Sequence, residues 1–145
     1  QLNLFGGFSL LADSGENLRI PQRRGRALLA YLALKETHRE SREFIVDFVA
    51  GQIQEQAQAN LRQVIFELRG LATHDPLLSA SRNEVALGGA IRECDVWTFG
   101  ECVGSDYLDD AEQALHVYRG PFLDGPVIGP EPFLQWAAIQ RARLE

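Results

Sequence analysis

Residues 54–72 read QEQAQANLRQVIFELRGLA, and their hydrophobic spacing is the clearest in the chain. Apolar side chains recur at intervals of one, three or four residues. They are Ala57, Leu61, Val64, Ile65, Leu68 and Leu71. Residues three or four positions apart share one face of an α-helix, so this stretch predicts a long helix with a buried stripe and a polar opposite face.

Two shorter helices are predicted before this stretch. Residues 26–34 are a run of helix formers with leucines on one side, and Pro21 suits a first helical position. Ser41 can cap a second helix of two to three turns, which Gly51 can end. Only a short turn then separates the second helix from the long one.

Short strands are predicted on both sides of the three helices. The alternating or turn-bounded segments are residues 2–5, 8–12, 18–20, 77–80 and 84–87. Gly6-Gly7 supplies the first turn of an N-terminal meander, and Ser81-Arg82-Asn83 supplies the turn of a hairpin. Three helices between a meander and a terminal hairpin predict an α+β winged helix-turn-helix, whose third helix enters the DNA major groove while the hairpin reaches neighbouring phosphates or the minor groove.

The rest of the chain is predicted to be helical. Helices are expected at residues 95–103, 106–118 and 132–145. Charge and pattern change near residues 88–92, so we expect a winged-helix domain over residues 1–90 and an all-α, helical-repeat-like segment over residues 91–145.

Charge is divided unevenly between these two parts. The net charge is −6, yet residues 1–88 hold ten basic and ten acidic side chains, and the whole acidic excess follows them. Within residues 19–42 the local balance is +5. A basic patch can bind phosphate even in an acidic chain, so the asymmetry indicates two modules with different partners.

Several classes of function are disfavoured by the sequence. No stretch approaches 18 uninterrupted apolar residues, so no membrane partner is expected. Cys94 and Cys102 are the whole thiol inventory and indicate a reduced, cytoplasmic setting. The three histidines lack the spacing of metal ligands, and no nucleophile elbow, phosphate loop or dinucleotide fingerprint is present. We therefore expect no metal, no cofactor and no enzymatic activity.

Four segments carry a family resemblance. They are residues 24–34 (RGRALLAYLAL), 41–43 (SRE), 55–63 (EQAQANLRQ) and 118–123 (YRGPFL). In this combination and order they resemble the Streptomyces antibiotic regulatory protein (SARP) type of bacterial regulator, over nearly the whole chain.

The resemblance implies an OmpR-like winged-helix DNA-binding domain followed by the start of a bacterial transcriptional activator domain, whose members resemble tetratricopeptide (TPR) repeats. It also implies double-stranded DNA and RNA polymerase as partners. The chain departs from the family pattern at Val49-Ala50, where relatives carry a Trp, and at Glu67 and Gly70, which should weaken phosphate binding.

The polar face of the long helix supplies the candidate DNA-reading residues. Arg62 and Gln63 suit guanine and adenine edges, and Arg69 suits a phosphate, with Asn60 at the border of the face. Phe66 has two interpretations of equal weight, contact with a thymine methyl group or packing on a neighbouring element or a partner protein.

Four further arginines are candidate phosphate contacts. Arg23, Arg24 and Arg26 crowd the start of the first helix, where the helix dipole disfavours positive charge and a phosphate would favour it. An exposed face balanced by acidic residues is an equally weighted alternative. Arg82 at the hairpin tip could reach a phosphate or a narrow minor groove, or simply be solvated.

The leading hypothesis is a sequence-specific DNA-binding transcriptional regulator, an activator at bacterial promoters. The alternative is a winged-helix protein-interaction module that binds DNA weakly or not at all. We also expect self-association through the helical half, because the last helix is apolar on more than one side.

Overall fold

The computed structural model describes residues 1–12, 17, 18, 20, 23–46, 48, 54–71, 77–89, 91–103, 108–123 and 131–144. Over these residues the chain is a mixed α+β protein with small antiparallel sheets. The helices are α1 (Arg23–Leu34), α2 (Arg42–Ile45), α3 (Gln54–Leu71), α4 (Asp95–Val103), α5 (Leu108–Val117) and α6 (Glu131–Leu144). The strands are β1 (Leu2–Asn3), β2 (Ser9–Leu10), β3 (Arg39–Ser41), β4 (Leu78–Ala80) and β5 (Glu84–Leu87).

The chain divides into two compact units. The central unit comprises Ile20–Ile91 and Ile128–Trp136, and the terminal unit comprises Gln1–Arg19, Arg92–Val127 and Ala137–Glu145. This grouping departs from the expected division into 1–90 and 91–145, because the N-terminal strands group with residues that follow position 91. The roles assigned to the two domains stay predictions.

In the central unit, α1 and α3 form the core. Leu28 and Leu32 of α1 and Leu61 and Leu68 of α3 are buried, which confirms the apolar stripe predicted for the long helix. Gly25 allows a close approach, since a Cβ there would lie 3.0 Å from Cγ2 of Ile20 and 3.5 Å from Cδ2 of Leu68. The start of α1 therefore packs against the C-terminal part of α3.

The central sheet has the order β3-β5-β4, with both pairs antiparallel. The predicted hairpin is confirmed as β4 and β5. No strand was expected at β3, because Arg39-Glu40-Ser41 has neither the alternation nor the residue types of a strand. Its partner β5 lies more than forty residues later in the chain, as in the pair Glu40 and Val85, so the pairing depends on tertiary structure.

The second helix is capped as predicted. The Ser41 side chain accepts a hydrogen bond from the Phe44 backbone N–H at 3.2 Å. This bond satisfies one of the backbone donors that a helix start leaves without a partner. Pro21 and Gly51, the predicted start and stop signals, lie outside the described residues.

A cluster of aromatic rings packs around α2. Tyr31 packs on Phe48 with ring centroids 4.7 Å apart, and Trp136 packs on Tyr31 at 5.3 Å. Phe44 and Phe133 complete this cluster within the central unit. The cluster anchors the short helix α2 at the start of the segment that leads to α3.

The terminal unit contains the N-terminal strands. β1 and β2 pair antiparallel around Gly6 and Gly7, whose positive φ values of 75° and 119° explain the need for glycine there. A third strand at 18–20 is replaced in part by an isolated bridge between Leu11 and Asn17 and a hydrogen bond from the Leu18 N–H to the Leu10 carbonyl. Arg19 lies outside the described residues.

Asp95 joins the N-terminal segment to α4. Its carboxylate accepts hydrogen bonds from the backbone N–H of Leu4 at 2.9 and 3.0 Å and from that of Phe5 at 2.9 Å. Burial raises the pKa of Asp95, and hydrogen bonds from the backbone of Phe5 and Leu4 oppose the rise without cancelling it. These bonds are the physical reason why the first residues belong to the terminal unit.

The predicted helices after residue 91 are confirmed, with small shifts of their ends. α4 and α5 pack together, and the Phe5 ring contacts Phe99 and Tyr118 at centroid distances of 5.2 and 4.9 Å. In the part of α6 that belongs to this unit, Arg141 donates to the carbonyls of Phe122 and Leu123 at 3.1 and 2.8 Å. Asp106 and Glu145 lie outside the described residues.

Candidate nucleic-acid interface

The outer face of α3 carries most of the predicted DNA-reading residues. Arg62, Gln63, Phe66 and Arg69 are exposed, while Asn60 is half-buried at the border of the face. Phe66 is 74% exposed, which is unusual for a large apolar side chain. One helix therefore presents cationic, amide and aromatic groups together, a combination suited to base edges and thymine methyl groups.

An open cleft of about 650 Å³ lies beside this face. Three arginines on three different elements line it, namely Arg42 at the start of α2, Arg62 on α3 and Arg82 at the hairpin tip. The remaining lining residues are Glu43, Val46, Gln58 and Leu61. Three cations against one carboxylate leave an electropositive cleft between the two helices and the hairpin.

Arg42 is held in place by the hairpin turn. Its backbone N–H donates to the Asn83 carbonyl at 2.8 Å, and its guanidinium donates to the Ser81 carbonyl at 3.1 Å. Within the turn, Ser81 Oγ accepts from the backbone N–H of Glu84 at 3.2 Å. These bonds fix the start of α2 to the turn that carries Arg82.

Sequence reasoning did not select Arg42 as a site residue. It counted only toward the local positive balance and the Ser41-Arg42-Glu43 segment. The available signal was its place directly after the Ser41 cap, because the first residues of a helix face any anion bound there. Its convergence with Arg62 and Arg82 required the tertiary structure.

Arg69 has a structural partner as well as an exposed position. Its guanidinium donates to the Ala80 carbonyl at 3.1 Å, which ties the C-terminal part of α3 to strand β4. An arginine has five N–H donors, so this bond leaves others available for a phosphate. The residue therefore braces the hairpin whether or not it also contacts DNA.

Gln63 and Glu67 form a pair one helical turn apart. Nε2 of Gln63 donates to Oε1 of Glu67 at 3.2 Å. Gln63 is exposed and lies on the polar face of α3, whereas Glu67 is half-buried and lies at the border of that face.

The arginines of α1 lie elsewhere. Arg23 and Arg24 are exposed and Arg26 is half-buried, and none of the three lines the cleft. Their helix turn packs near Leu68, seven residues after Leu61 of the cleft. Seven residues of an α-helix span about 10 Å. The start of α1 and the cleft therefore lie beside different turns of α3.

A network of one hydrogen bond and one ion pair supports strand β3. The Tyr31 hydroxyl donates to Glu40 at 2.7 Å, and the Lys35 ammonium lies 3.4 Å from the same carboxylate. Burial alone would raise the pKa of Glu40, but the hydrogen bonds from Tyr31 and Ser41 and the charge of Lys35 outweigh it and lower the pKa. Burial, followed by the bond to Glu40, raises the pKa of Tyr31.

In the described parts of the chain, no group of three or more His, Cys, Asp or Glu side chains is placed to hold a metal ion. Nor is any of the described helices long and apolar enough to cross a membrane. Cys94 and Cys102 are unbridged and buried, and burial raises the pKa of Cys94 to about 12.

No protein-family model matches the chain, and no curated protein matches it.

Proposed function

We propose that this chain is a sequence-specific regulator that binds double-stranded DNA through a winged helix-turn-helix. In this proposal α3 is the recognition helix, α2 is its partner helix and the β4–β5 hairpin is the wing. The supporting observation is the cleft in which Arg42, Arg62 and Arg82 converge beside the exposed face of α3.

The arrangement of these arginines suits a nucleic-acid backbone. Like charges brought together by folding repel one another, so the cleft is stabilised by an anion placed among them. Phosphates along a DNA strand are spaced to meet cations from several elements, and such contacts set the register of a recognition helix. Of the base-reading groups, Arg62 itself lines the cleft, and Gln63 and Phe66 are exposed on the same helix.

The family resemblance extends the proposal to the rest of the chain. It assigns activation of transcription at bacterial promoters, through RNA polymerase, and gives residues 91–145 a regulatory or self-association role. Apolar groups are available for this, since Leu115 of α5 is 78% exposed and Ile139 of α6 is 64% exposed. Exposed apolar side chains of this size favour association.

One observation favours a second function. Phe66 is 74% exposed on α3, and the acidic residue Glu67 follows it in the sequence. An exposed aromatic ring beside an acidic group suits a protein partner as well as DNA, so a protein-interaction module is the alternative function.

A mobility-shift assay on the full chain tests the proposal. The probes are promoter fragments from the native genome, at two salt concentrations, with the variants Arg42→Ala and Arg82→Ala. Each variant should weaken binding and reduce the salt dependence by about one phosphate contact. Arg143→Ala, an exposed arginine of α6, is the matched control and should have no such effect.

Absence of any shift at low salt would reject DNA binding and favour the protein-interaction alternative. An equal loss with Arg143→Ala would show that binding follows net charge and not the cleft.

A further inference from the structure

Glu67 is one of the two acidic residues of α3, Glu55 being the other, and its charge fits DNA binding poorly. If α3 enters the groove, the Glu67 carboxylate repels the DNA phosphates and lowers the affinity. An interaction that favours DNA recognition would offset this loss. The structure provides a specific partner, since Oε1 of Glu67 accepts a hydrogen bond from Nε2 of Gln63 at 3.2 Å.

The chemistry of the two groups decides the direction of the Gln63 amide. A glutamine side chain has an accepting oxygen and a donating NH2 group, and either end can face a neighbour that both donates and accepts. A carboxylate only accepts. The NH2 group of Gln63 must therefore face Glu67, and its carbonyl oxygen faces away.

In this orientation the amide keeps one N–H donor and one oxygen acceptor for a ligand. Adenine presents the complementary pair in the major groove, with N6–H₂ as a donor and N7 as an acceptor. Guanine presents two acceptors, O6 and N7, and would need both N–H groups of the amide. One of these groups already donates to Glu67.

We infer that Glu67 is a positioning residue that holds the Gln63 amide in the orientation that reads adenine and rejects guanine. This inference rests on the proposed DNA-binding function and assigns one base of its target. Glu67 acts through Gln63 and need not touch the DNA itself.

Selection of binding sites from a random duplex library by the full chain tests the inference. The wild type should enrich adenine at one position, and Gln63→Ala should remove that preference. Glu67→Gln keeps the size of the side chain but can donate as well as accept, so the Gln63 amide can turn over. The adenine-to-guanine ratio should then fall about two- to fivefold while overall affinity is kept or increased.

Glu112→Gln is the charge-matched control, because Glu112 is an exposed residue of α5. It should leave the base preference unchanged. Recovery of no enriched sequence by the wild type would reject the proposed function. An enriched site without adenine, or an adenine-to-guanine ratio that Glu67→Gln leaves unchanged, would reject the role of Glu67 while DNA binding stands.

A modified base in the DNA gives a second measurement on the same three proteins. Replacing the selected adenine by 7-deazaadenine removes the N7 acceptor, and should weaken wild-type binding about fivefold or more. The same replacement should have little effect on Gln63→Ala and an intermediate effect on Glu67→Gln. Equal losses for the three proteins would overturn the inference.

Discussion

Replacing Asp95 should loosen the N-terminal segment of the terminal unit. In Asp95→Ala the backbone N–H groups of Leu4 and Phe5 lose the carboxylate that accepts their hydrogen bonds at 2.9–3.0 Å. Each buried donor left without a partner costs about 1–3 kcal/mol. The two together predict a loss of about 2–6 kcal/mol from the free energy of unfolding.

Two assays measure this loss. Denaturant unfolding reports the free energy, and amide hydrogen exchange reports whether the Leu4 and Phe5 N–H groups lose protection. Asp95→Asn is the matched variant, because its amide keeps one accepting oxygen. It should lose about half as much stability as Asp95→Ala. A loss below about 0.5 kcal/mol for Asp95→Ala, with unchanged exchange at both amides, would refute the assignment.

Three further predictions follow from the central unit and α6. Arg62→Ala should reduce the free energy of binding to the selected site by about 1–3 kcal/mol and relax the preference at one base position. Arg69→Ala should weaken binding to all DNA sequences alike and also destabilise the hairpin. Competition binding and thermal melts separate these effects. The pKa of Glu40 is lowered in the folded protein, so its carboxylate adds stability at pH values above the ordinary pKa of 4.5, and this stability is lost as the pH falls through the lower folded-state pKa. Glu40→Gln should therefore be less stable than wild type at pH 7 and equally stable in acid. Unfolding measured as a function of pH checks this prediction. Ile139→Ser should reduce self-association in light scattering, and a wild type that stays monomeric at high concentration would contradict this surface.

Local sequence signals predicted the individual elements well. The apolar spacing in α3 needs only neighbouring residues, and so does the cap at Ser41. The predicted hairpin formed around its Ser81-Arg82-Asn83 turn. These features are decided within a few residues of chain, where helix periodicity, capping and turn preferences act.

The candidate site was predictable only in part. The exposed face of α3 followed from the helical period, which placed Arg62, Gln63 and Phe66 opposite the core. Arg42 did not follow, because its neighbourhood depends on hydrogen bonds to a turn about forty residues later. The direction of the Gln63 amide likewise needed the observed bond to Glu67.

The sequence by itself determined the positions of the helices and of the β4–β5 hairpin, since periodicity, caps and turns are local properties. It also determined which face of α3 is polar. Only the tertiary structure decided that Arg39–Ser41 pairs with β5 and that the N-terminal strands belong with Asp95. Backbone donors and acceptors must find partners somewhere, and the identity of a distant partner depends on how the whole chain packs.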